Sequence, residues 1–380
     1  MKALWGLALG NFAVGTGALV VAGVLPDIAR DLGVSDARSG QLIALYAIPY
    51  AIGAPLLGSL TGSLDRRWLL AAAAALIAIA NTVAAMADDF EILLGARIAS
   101  ALGAAIFSPV AAAVASSLAP PDKVARALSV VFGGFVVATV LGVPLGTWLG
   151  GHFGWPTTFW FVAALAAAAT VGAVLAVPKG LKSEGTGFRA LARVLTNHRM
   201  VLAISVGVGH MACQFIPYTF IALILTRRSG ADTGDLTLVL LLFGAFSFVG
   251  NVLGGRVTDR FGPSATIIGG LITLPAIFAL FDLLDTGILA AVVMLSLWGA
   301  AGFSFAVAQQ ARLVTLAPEQ RGTALSLHAS SMYVGQALGA FIGAQVLVAF
   351  DLYALQWFAL AGALITLSLF LISRRQWRGH

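Results

Sequence analysis

The feature that most constrains this chain is a series of apolar runs, each about twenty residues long. A helix needs about twenty apolar residues to cross the hydrocarbon core of a bilayer. Charged residues make up only 10% of the chain, against roughly 25% in a typical soluble domain. The sequence therefore predicts an all-α polytopic membrane protein. Twelve spanning helices are predicted, with approximate bounds 4–25, 40–61, 68–87, 92–117, 127–150, 157–177, 200–225, 237–256, 264–281, 287–312, 323–349 and 355–373.

The distribution of basic residues predicts the orientation. The first run continues past the length of a signal-peptide apolar region, so we interpret it as a spanning helix rather than a cleaved leader. With the amino terminus in the cytoplasm, 17 of the 22 Lys and Arg residues fall in inner loops. By the positive-inside rule, both termini are predicted to be cytoplasmic. The net charge of +6 is explained by these loops, so no nucleic-acid partner is expected. The outer loops hold Arg30, Arg38, Arg227 and Arg228, with acidic residues such as Asp282 and Asp285.

The chain repeats itself at a constant offset of 197 residues. The repeat predicts two six-helix halves, residues 1–177 and 200–380, joined by a basic cytoplasmic linker, residues 178–199. Parallel repeats around a midplane cavity are the architecture of rocking transporters. The pairs that share the offset are Gly58 and Gly255, Thr61 and Thr258, Ser129 and Ser326, Gly142 and Gly339, and Gly146 and Gly343.

Several motifs carry a resemblance to a known family. Residues 255–262 read GRVTDRFG, residues 93–110 read LLGARIASALGAAIFSPV around Arg97, and residues 140–151 read VLGVPLGTWLGG. These resemble the loop signature and the fourth- and fifth-helix motifs of the major facilitator superfamily. Residues 12–35 resemble the first helix of its twelve-helix drug/proton antiporter branch, the group with bacterial sugar, purine and chloramphenicol exporters. The resemblance implies secondary active transport by alternating access.

The loop signature occupies Gly255, Asp259, Arg260 and Gly262. We expect Asp259 and Arg260 in a cytoplasmic turn, where a carboxylate complements the positive end of a neighbouring helix. The resemblance implies a latch that closes the cytoplasmic side; the alternative is a solvated basic turn.

The first half holds a degraded copy of this signature, GSLTGSLDRRWLL, residues 58–70. Gly58 keeps the first position, and Arg66 and Arg67 keep the last two. Gly62 and Ser63 replace the Asp-Arg pair, while Asp65 lies three residues later. A substitute latch at Asp65 is one interpretation, and an ordinary turn is the other.

Arg97 is predicted to lie about six residues inside the fourth helix. A charge at that depth is costly and faces a cavity or a partner, unless it extends to the outer interface. Close exporters carry an acid in the middle of the first helix, where this chain has Gly17. The nearest acid is Asp27. One interpretation is that it pairs with Arg97 in one state of a proton cycle, and the other is that it is a helix cap or a solvated loop residue. His210 and His328 are further candidates for proton coupling, because histidine titrates near neutrality.

Glycines recur every fourth residue in the fifth predicted helix, including Gly142 and Gly146, and Pro144 interrupts the same helix. Gly339 and Gly343 form the matching stripe in the eleventh. Such stripes let another helix approach closely, and we expect them to serve as seams on which the halves pivot.

Polar residues inside the predicted spans are candidates for a substrate cavity that is uncharged and lined by amides and aromatic rings. Each one is also explained by an ordinary hydrogen bond between helices. The candidates are Asn11, Tyr46, Tyr50, Gln214, Tyr218, Gln309, Gln310, Tyr333 and Gln336.

Taken together, these features predict a secondary active transporter of a bacterial inner membrane. Proton-coupled efflux of a small organic molecule such as a drug, sugar or nucleoside is the first interpretation. An uncoupled facilitator or uptake permease is one alternative, and a non-transporting membrane sensor or scaffold is another. Motifs for phosphate binding, metal binding and nucleophilic catalysis are absent from the sequence, so no enzyme activity, metal or cofactor is expected. The expected partners are the lipid bilayer, a small-molecule substrate and protons, and the expected oligomeric state is a monomer.

Overall fold

The computed structural model describes residues 2–61, 64–120, 123–181, 196–317 and 321–378. These residues form α-helices joined by short turns, and the described ranges contain no β-strand. In the first half of the sequence the helices are α1 (Lys2–Leu19), α2 (Val21–Asp31), α3 (Asp36–Ser39), α4 (Gln41–Leu60), α5 (Arg66–Ala85), α6 (Phe90–Leu118), α7 (Val124–Val137), α8 (Val143–Phe153) and α9 (Pro156–Ala176), with a π-helical turn (Ala138–Gly142) between α7 and α8.

In the second half they are α10 (His198–Tyr218), α11 (Ile221–Ser229), α12 (Thr233–Phe261), α13 (Pro263–Ala279), α14 (Ile288–Leu316), α15 (Arg321–Ala349) and α16 (Ala354–Arg378), with a 3₁₀ turn (Phe281–Thr286) before α14. Much of the predicted linker, together with Gly62 and Ser63, lies outside the described residues.

Of the twelve predicted spans, the described residues show ten or eleven that are long and apolar enough to cross a bilayer. Ten of them are single segments. An eleventh span is the pair α1 and α2, which meet at a bend of 47°. The remaining predicted span, 264–281, corresponds to α13, a shorter apolar helix of 17 residues. The prediction of an all-helical, polytopic membrane fold is therefore confirmed.

The helices begin and end at local signals in the sequence. Asp89 accepts a hydrogen bond from the Glu91 N–H (2.7 Å) at the start of α6, and such caps satisfy backbone donors that a helix leaves free. Asp232 and Asp235 form a reciprocal capping box at the start of α12. Gly262 ends α12 with a φ of +79°, a conformation that glycine adopts without steric cost.

The chain divides into two compact units, the first containing residues 1–34 and 45–186 and the second residues 35–44 and 187–380. In the first unit α1 packs against α7 and α9, and α5 packs against α6 and α9. In the second unit α10 packs against α15 and α16, and α13 packs against α14 and α16. The repeated halves thus use equivalent helix pairs. The short segment 35–44 belongs to the second unit, and the predicted boundaries at 177 and 200 stay predictions.

Candidate functional site

Arg97 is enclosed within the first unit. Only 1% of its surface is exposed. Its Nη1 donates a hydrogen bond to the Gly17 carbonyl oxygen over 2.6 Å, and its guanidinium lies 4.3 Å from the centre of the Tyr46 ring. The side chain is therefore enclosed by the protein rather than exposed at its surface. Charged side chains inside membrane helices are costly, and the functional role of Arg97 stays a prediction.

The acceptor for Arg97 is produced by the bend between α1 and α2. Gly17 is the third residue from the end of α1, and the last carbonyls of a helix lack intrahelical partners. These carbonyls also carry the partial negative charge of the helix dipole. A main-chain oxygen thus lies where the family resemblance led us to look for an acid.

Asp27 lies in α2, near the end of the first span, as the sequence predicts. Its Oδ1 accepts a hydrogen bond from Arg30 over 2.9 Å, and both side chains are exposed to solvent. Asp27 is ten residues beyond Gly17 and lies on α2, on the other side of the 47° bend. The pair of Asp27 with Arg97 is not formed in this structure, and its formation in another conformation stays a prediction.

The second unit holds a buried polar cluster between α10 and α14. His210 Nε2 lies 3.0 Å from the Gly302 carbonyl oxygen. The Gln214 amide nitrogen lies 3.0 Å from the same ring nitrogen, and its Oε1 accepts a hydrogen bond from Trp298 Nε1 (3.1 Å). The ring of His210 stacks on Phe305 with 3.7 Å between centroids. His210, a candidate for proton coupling, and Gln214, a candidate for the cavity, are therefore in direct contact.

Further candidates lie on α10, α14 and the neighbouring α15 of this unit. Gln309 on α14 donates from Nε2 to the Ala203 carbonyl oxygen over 2.6 Å. His328 and Gln336 on α15 are each 3% exposed. Tyr218 at the end of α10 is buried among aromatic rings and lies 5.3 Å from Phe243.

The remaining cavity candidates differ in how far their side chains are buried. Asn11 bonds to the Val131 carbonyl oxygen (3.1 Å) and accepts from Ser108 (2.7 Å), so it has the hydrogen bonds of an ordinary contact between helices. Tyr46 contacts Arg97, and Tyr50, one turn later, is 5% exposed. By contrast, Gln310 is exposed and Tyr333 is half-buried.

The loop signature is not in a turn, which corrects the sequence prediction. Helix α12 continues through Gly255, Asp259 and Arg260 and ends at Phe261, with Gly262 as its C-cap. Asp259 and Arg260 are both exposed, and the Arg260 guanidinium lies 5.1 Å from the Phe261 ring. The helix continues because no residue between 256 and 261 is a helix breaker. The latch role of these residues stays a prediction.

The degraded first-half copy connects two segments that are distant in sequence. Asp65 Oδ1 accepts from the Arg67 N–H (2.9 Å) at the start of α5, and Oδ2 accepts from the Gly180 N–H (2.7 Å). The Arg66 N–H donates to the Leu181 carbonyl oxygen (3.0 Å). The hydrogen bond from Gly180, followed by that from Arg67, holds the pKa of the Asp65 carboxyl below its ordinary value. Asp65 thus attaches the chain beyond α9 to the start of α5.

The glycine stripes pack inside their own units. A Cβ added at Gly142 would lie 2.0 Å from Thr16 Oγ1, and one at Gly146 would lie 2.4 Å from Val20 Cγ2. In the second unit, a Cβ at Gly339 or Gly343 would lie 2.4 or 2.6 Å from a carbonyl oxygen of α10. The close approach of helices is as predicted. These contacts join neighbouring helices of one unit, and the expected role of the stripes as a pivot between halves stays a prediction.

Pro144 lies in the first turn of α8, directly after the π-helical turn. Proline has no backbone N–H and disturbs the hydrogen bonds of the preceding turn. Turns of this type are frequent at functional positions in helices.

Arg228, predicted from the sequence only to lie in an outer loop, is the centre of a polar cluster in the structure. Its side chain is 2% exposed and pairs with Asp285 (2.8 Å) and Asp282 (3.1 Å). It also donates to Gln356 over 2.9 Å and lies over the Tyr353 ring. The sequence contained an indication of this cluster, since Arg227 and Arg228 are predicted on the same side of the membrane as Asp282 and Asp285.

The chain is similar to known proteins in sequence and in fold. The sequence model of the Major Facilitator Superfamily matches residues 7–340 and 203–377. The chain belongs to the major facilitator superfamily. It is 34% identical over 348 residues to a chloramphenicol resistance protein of Streptomyces lividans, covering 90% of this chain and 88% of the relative. It is 32% identical over 346 residues to the inner membrane transport protein YdhP of Escherichia coli strain K12, covering 91% and 89%.

Solved structures of this superfamily share the fold. A POT family transporter in complex with 5-aminolevulinic acid superposes with a TM-score of 0.82 at 11% identity, covering 98% of this chain and 96% of that one. Membership of the major facilitator superfamily makes this chain a multi-pass membrane transporter of small molecules, rather than an enzyme. Among the described residues, no group of three or more His, Cys, Asp or Glu side chains is arranged to hold a metal ion.

Proposed function

We propose that this transporter exports a small, uncharged organic molecule in exchange for protons across a bacterial inner membrane. The observation that carries the proposal is the enclosed Arg97, held by the Gly17 carbonyl at the bend of the first span. A permanent charge inside the membrane is costly and is retained where it serves transport. The relative named for chloramphenicol resistance supports export of a drug-like molecule, and sugars and nucleosides are the other substrate classes we consider.

The position of Arg97 suggests how it takes part in coupling. A guanidinium stays protonated at every physiological pH, so Arg97 acts as a fixed positive charge rather than as the proton carrier. When the bend between α1 and α2 changes, the 2.6 Å bond to Gly17 is lost and Arg97 needs another acceptor. We propose that a carboxylate on a moving helix, with Asp27 as the first candidate, supplies it and releases its proton on pairing. His210 and His328 are the alternative proton carriers.

The orientation and the oligomeric state belong to the same proposal. The excess of Lys and Arg in alternate loops supports cytoplasmic termini. The relative named as an inner membrane transport protein supports that membrane as the location. We propose that one chain transports as a monomer.

Transport in proteoliposomes tests the coupling. With an acidic lumen, an exchanger accumulates external substrate while protons leave, so radiolabelled chloramphenicol, a sugar and a nucleoside are each offered with and without the pH difference. We expect wild type to accumulate one of these only when the difference is imposed. Arg97→Gln is expected to abolish accumulation and to retain exchange of substrate down its own gradient.

Arg312→Gln is the matched control for the loss of a buried arginine. Arg312 also bonds to another helix, at 2.6 Å from Ser373 Oγ, and lies over an aromatic ring, Phe370. We expect Arg312→Gln to lower the yield of folded protein and to leave coupling intact. Equal loss of coupling in both variants would mean that Arg97 acts through stability alone.

An uncoupled facilitator or uptake permease is the second candidate, and one observation favours it. None of the Asp and Glu side chains within the described ranges is buried. Proton carriers in membranes are commonly carboxylates that the protein encloses. If wild-type vesicles transport substrate at the same rate with and without the pH difference, this second candidate replaces the first. Membership of a transporter family gives no support to the sensor or scaffold alternative.

A further inference from the structure

Arg312, near the end of α14, is a buried cation without a counter-charge. Its side chain lies between α14 and α16, where Nη2 donates to Ser373 Oγ over 2.6 Å and the guanidinium lies 5.0 Å from the centre of the Phe370 ring. The residue is 6% exposed, and within the described ranges its Nη1 has no hydrogen-bond partner. Buried polar groups are nearly always paired in folded proteins, and each exception needs an explanation.

The buried Arg228 shows how the same unit neutralises an enclosed arginine with its own acids. It pairs with Asp282 and Asp285, which belong to the 3₁₀ turn before α14. Arg312 lies near the opposite end of α14, roughly 36 Å from its first residue at 1.5 Å per residue, so these carboxylates do not reach it. Its charge meets only one neutral hydroxyl and one aromatic ring among the described residues. An ion buried with so few partners is costly.

A second arginine with an unpaired buried nitrogen follows directly after Ser373 on α16. Nε of the half-buried Arg374 has no partner among the residues that the structure describes, and Arg375 is exposed. Successive residues of a helix are turned by about 100°, so Arg374 lies between the buried face and the exposed face of α16. Three guanidinium groups thus lie near the ends of α14 and α16, and no carboxylate in the described ranges pairs with them.

The exposed face of α16 is apolar up to these arginines. Its large exposed side chains recur at intervals of seven residues, which places them on one side of the helix. They are Trp357, Phe358, Leu364, Ile365, Leu371 and Ile372. The last four extend over roughly 12 Å of the helix, close to the hydrocarbon depth of one leaflet, about 15 Å. Acyl chains that cover this face therefore place their phosphate at the level of Arg374.

We propose that Arg312 and Arg374 bind the phosphate of an anionic phospholipid whose acyl chains lie along α16. Guanidinium groups bind phosphate through paired N–H donors, and basic pockets between membrane helices bind anionic headgroups. Nη1 of Arg312 and Nε of Arg374 supply the donors, and Arg375 adds a positive charge at the surface. Because Nη1 is enclosed here, the Arg374 side chain moves aside when the phosphate binds.

The lipid site is separate from Arg97 and joins α14 to α16. Its loss is therefore expected to lower stability and to leave proton coupling intact, in agreement with the result expected for Arg312→Gln in proteoliposomes.

Lipid binding to purified, delipidated protein tests the proposal. Dioleoyl phosphatidylglycerol and dioleoyl phosphatidylcholine are titrated in detergent, and the dissociation constants are obtained from the lipid-bound fraction in native mass spectra. The two lipids share their acyl chains and a phosphate and differ in net charge. We expect phosphatidylglycerol to bind at least fivefold more tightly, and equal binding would overturn the proposal. Inorganic phosphate is compared by the shift in Tm, and a shift equal to that given by phosphatidylglycerol would overturn the lipid as occupant.

Variants test the two assigned arginines. Arg312→Gln and Arg374→Gln are each expected to weaken phosphatidylglycerol about 5-fold, the effect of losing one basic residue near an anionic headgroup, and to leave phosphatidylcholine nearly unchanged. Arg256→Gln is the matched control, since it removes an exposed arginine of α12 at the same predicted end of this unit, and its affinities should match wild type. Arg374 is only half-buried, so Arg374→Gln still decides the question if Arg312→Gln folds poorly. Unchanged affinity in Arg374→Gln, or an equal loss in Arg256→Gln, would show that the arginines do not form a specific site.

Discussion

Replacing Gly134 by alanine is expected to force α7 away from α1. A Cβ at Gly134 would lie 2.0 Å from the Ala8 carbonyl oxygen and 2.8 Å from its carbonyl carbon. These are main-chain atoms, which cannot rotate aside, so the helices must separate by roughly 1 Å to reach a contact of about 3 Å. The neighbouring Gly133 is the matched control, since a Cβ there meets no atom within 4 Å.

The two variants differ in the sign of their expected effect on stability. Each gains up to about 1 kcal/mol because alanine is a better helix former than glycine. Overpacking costs about 3 kcal/mol when main chain must move, and this cost applies at Gly134 alone. Gly133→Ala is thus expected to be more stable by at most about 1 kcal/mol, and Gly134→Ala less stable by about 2 kcal/mol.

Thermal unfolding in detergent, followed by tryptophan fluorescence, measures the difference. At about 2 °C per kcal/mol for a unit of roughly 200 residues, the two variants should differ in Tm by about 6 °C, with wild type between them. If Gly134→Ala unfolds at the same temperature as Gly133→Ala, α7 and α1 can separate without loss of stability. The hypothesis that the glycine stripe is needed for their close packing would then be wrong.

Two further predictions concern the loop signature and its degraded copy. Asp65→Ala should speed tryptic cleavage after Lys179, because the next residue is Gly180, whose N–H the carboxylate holds at 2.7 Å; Asp36→Ala serves as control, and equal rates would contradict the anchor. Folding lowers the pKa of Asp65. The stabilising effect of its carboxylate is therefore fully present above the unfolded pKa of about 3.9 and is lost as the pH falls through the lower pKa of the folded protein. Hydrogen exchange at the Gly180 N–H, measured against pH, would follow this loss. Asp259→Asn should lower transport while substrate affinity and expression stay near wild type, since an exposed carboxylate that closes a gate changes populations rather than folding; unchanged transport would argue for a solvated helix end.

The spans were predictable because lipid imposes one requirement on every helix, about twenty apolar residues. The glycine stripes were predictable for a related reason, as close packing in a bilayer needs small residues at a fixed spacing. Both features are local and periodic, so the sequence displays them directly. The prediction for the length of α12 is wrong because a polar stretch often indicates a turn, whereas this stretch contains no helix breaker before Gly262.

The contacts of Arg97 and Asp65 were not predictable by the same means. Arg97 bonds to a carbonyl 80 residues away, and Asp65 to an amide 115 residues away. Backbone groups are present at every position, so nothing in the identity of Gly17 or Gly180 marks it as a partner. From the sequence, the expected partner of Arg97 is a carboxylate, and Asp27 is the nearest acidic side chain.

The bond from Arg97 to Gly17 has a consequence for how mutations are read. The accepting oxygen belongs to the main chain, so no substitution at position 17 can delete it. A variant there would report only steric effects, which begin with Val162 Cγ1 at 3.1 Å from an added Cβ. Genetic screens that score side chains would pass over this position while the interaction persists. Only a mutation that changes the path of the chain between Leu19 and Val21 would move this oxygen away from Arg97. The interaction therefore depends on the bend rather than on the residue at position 17.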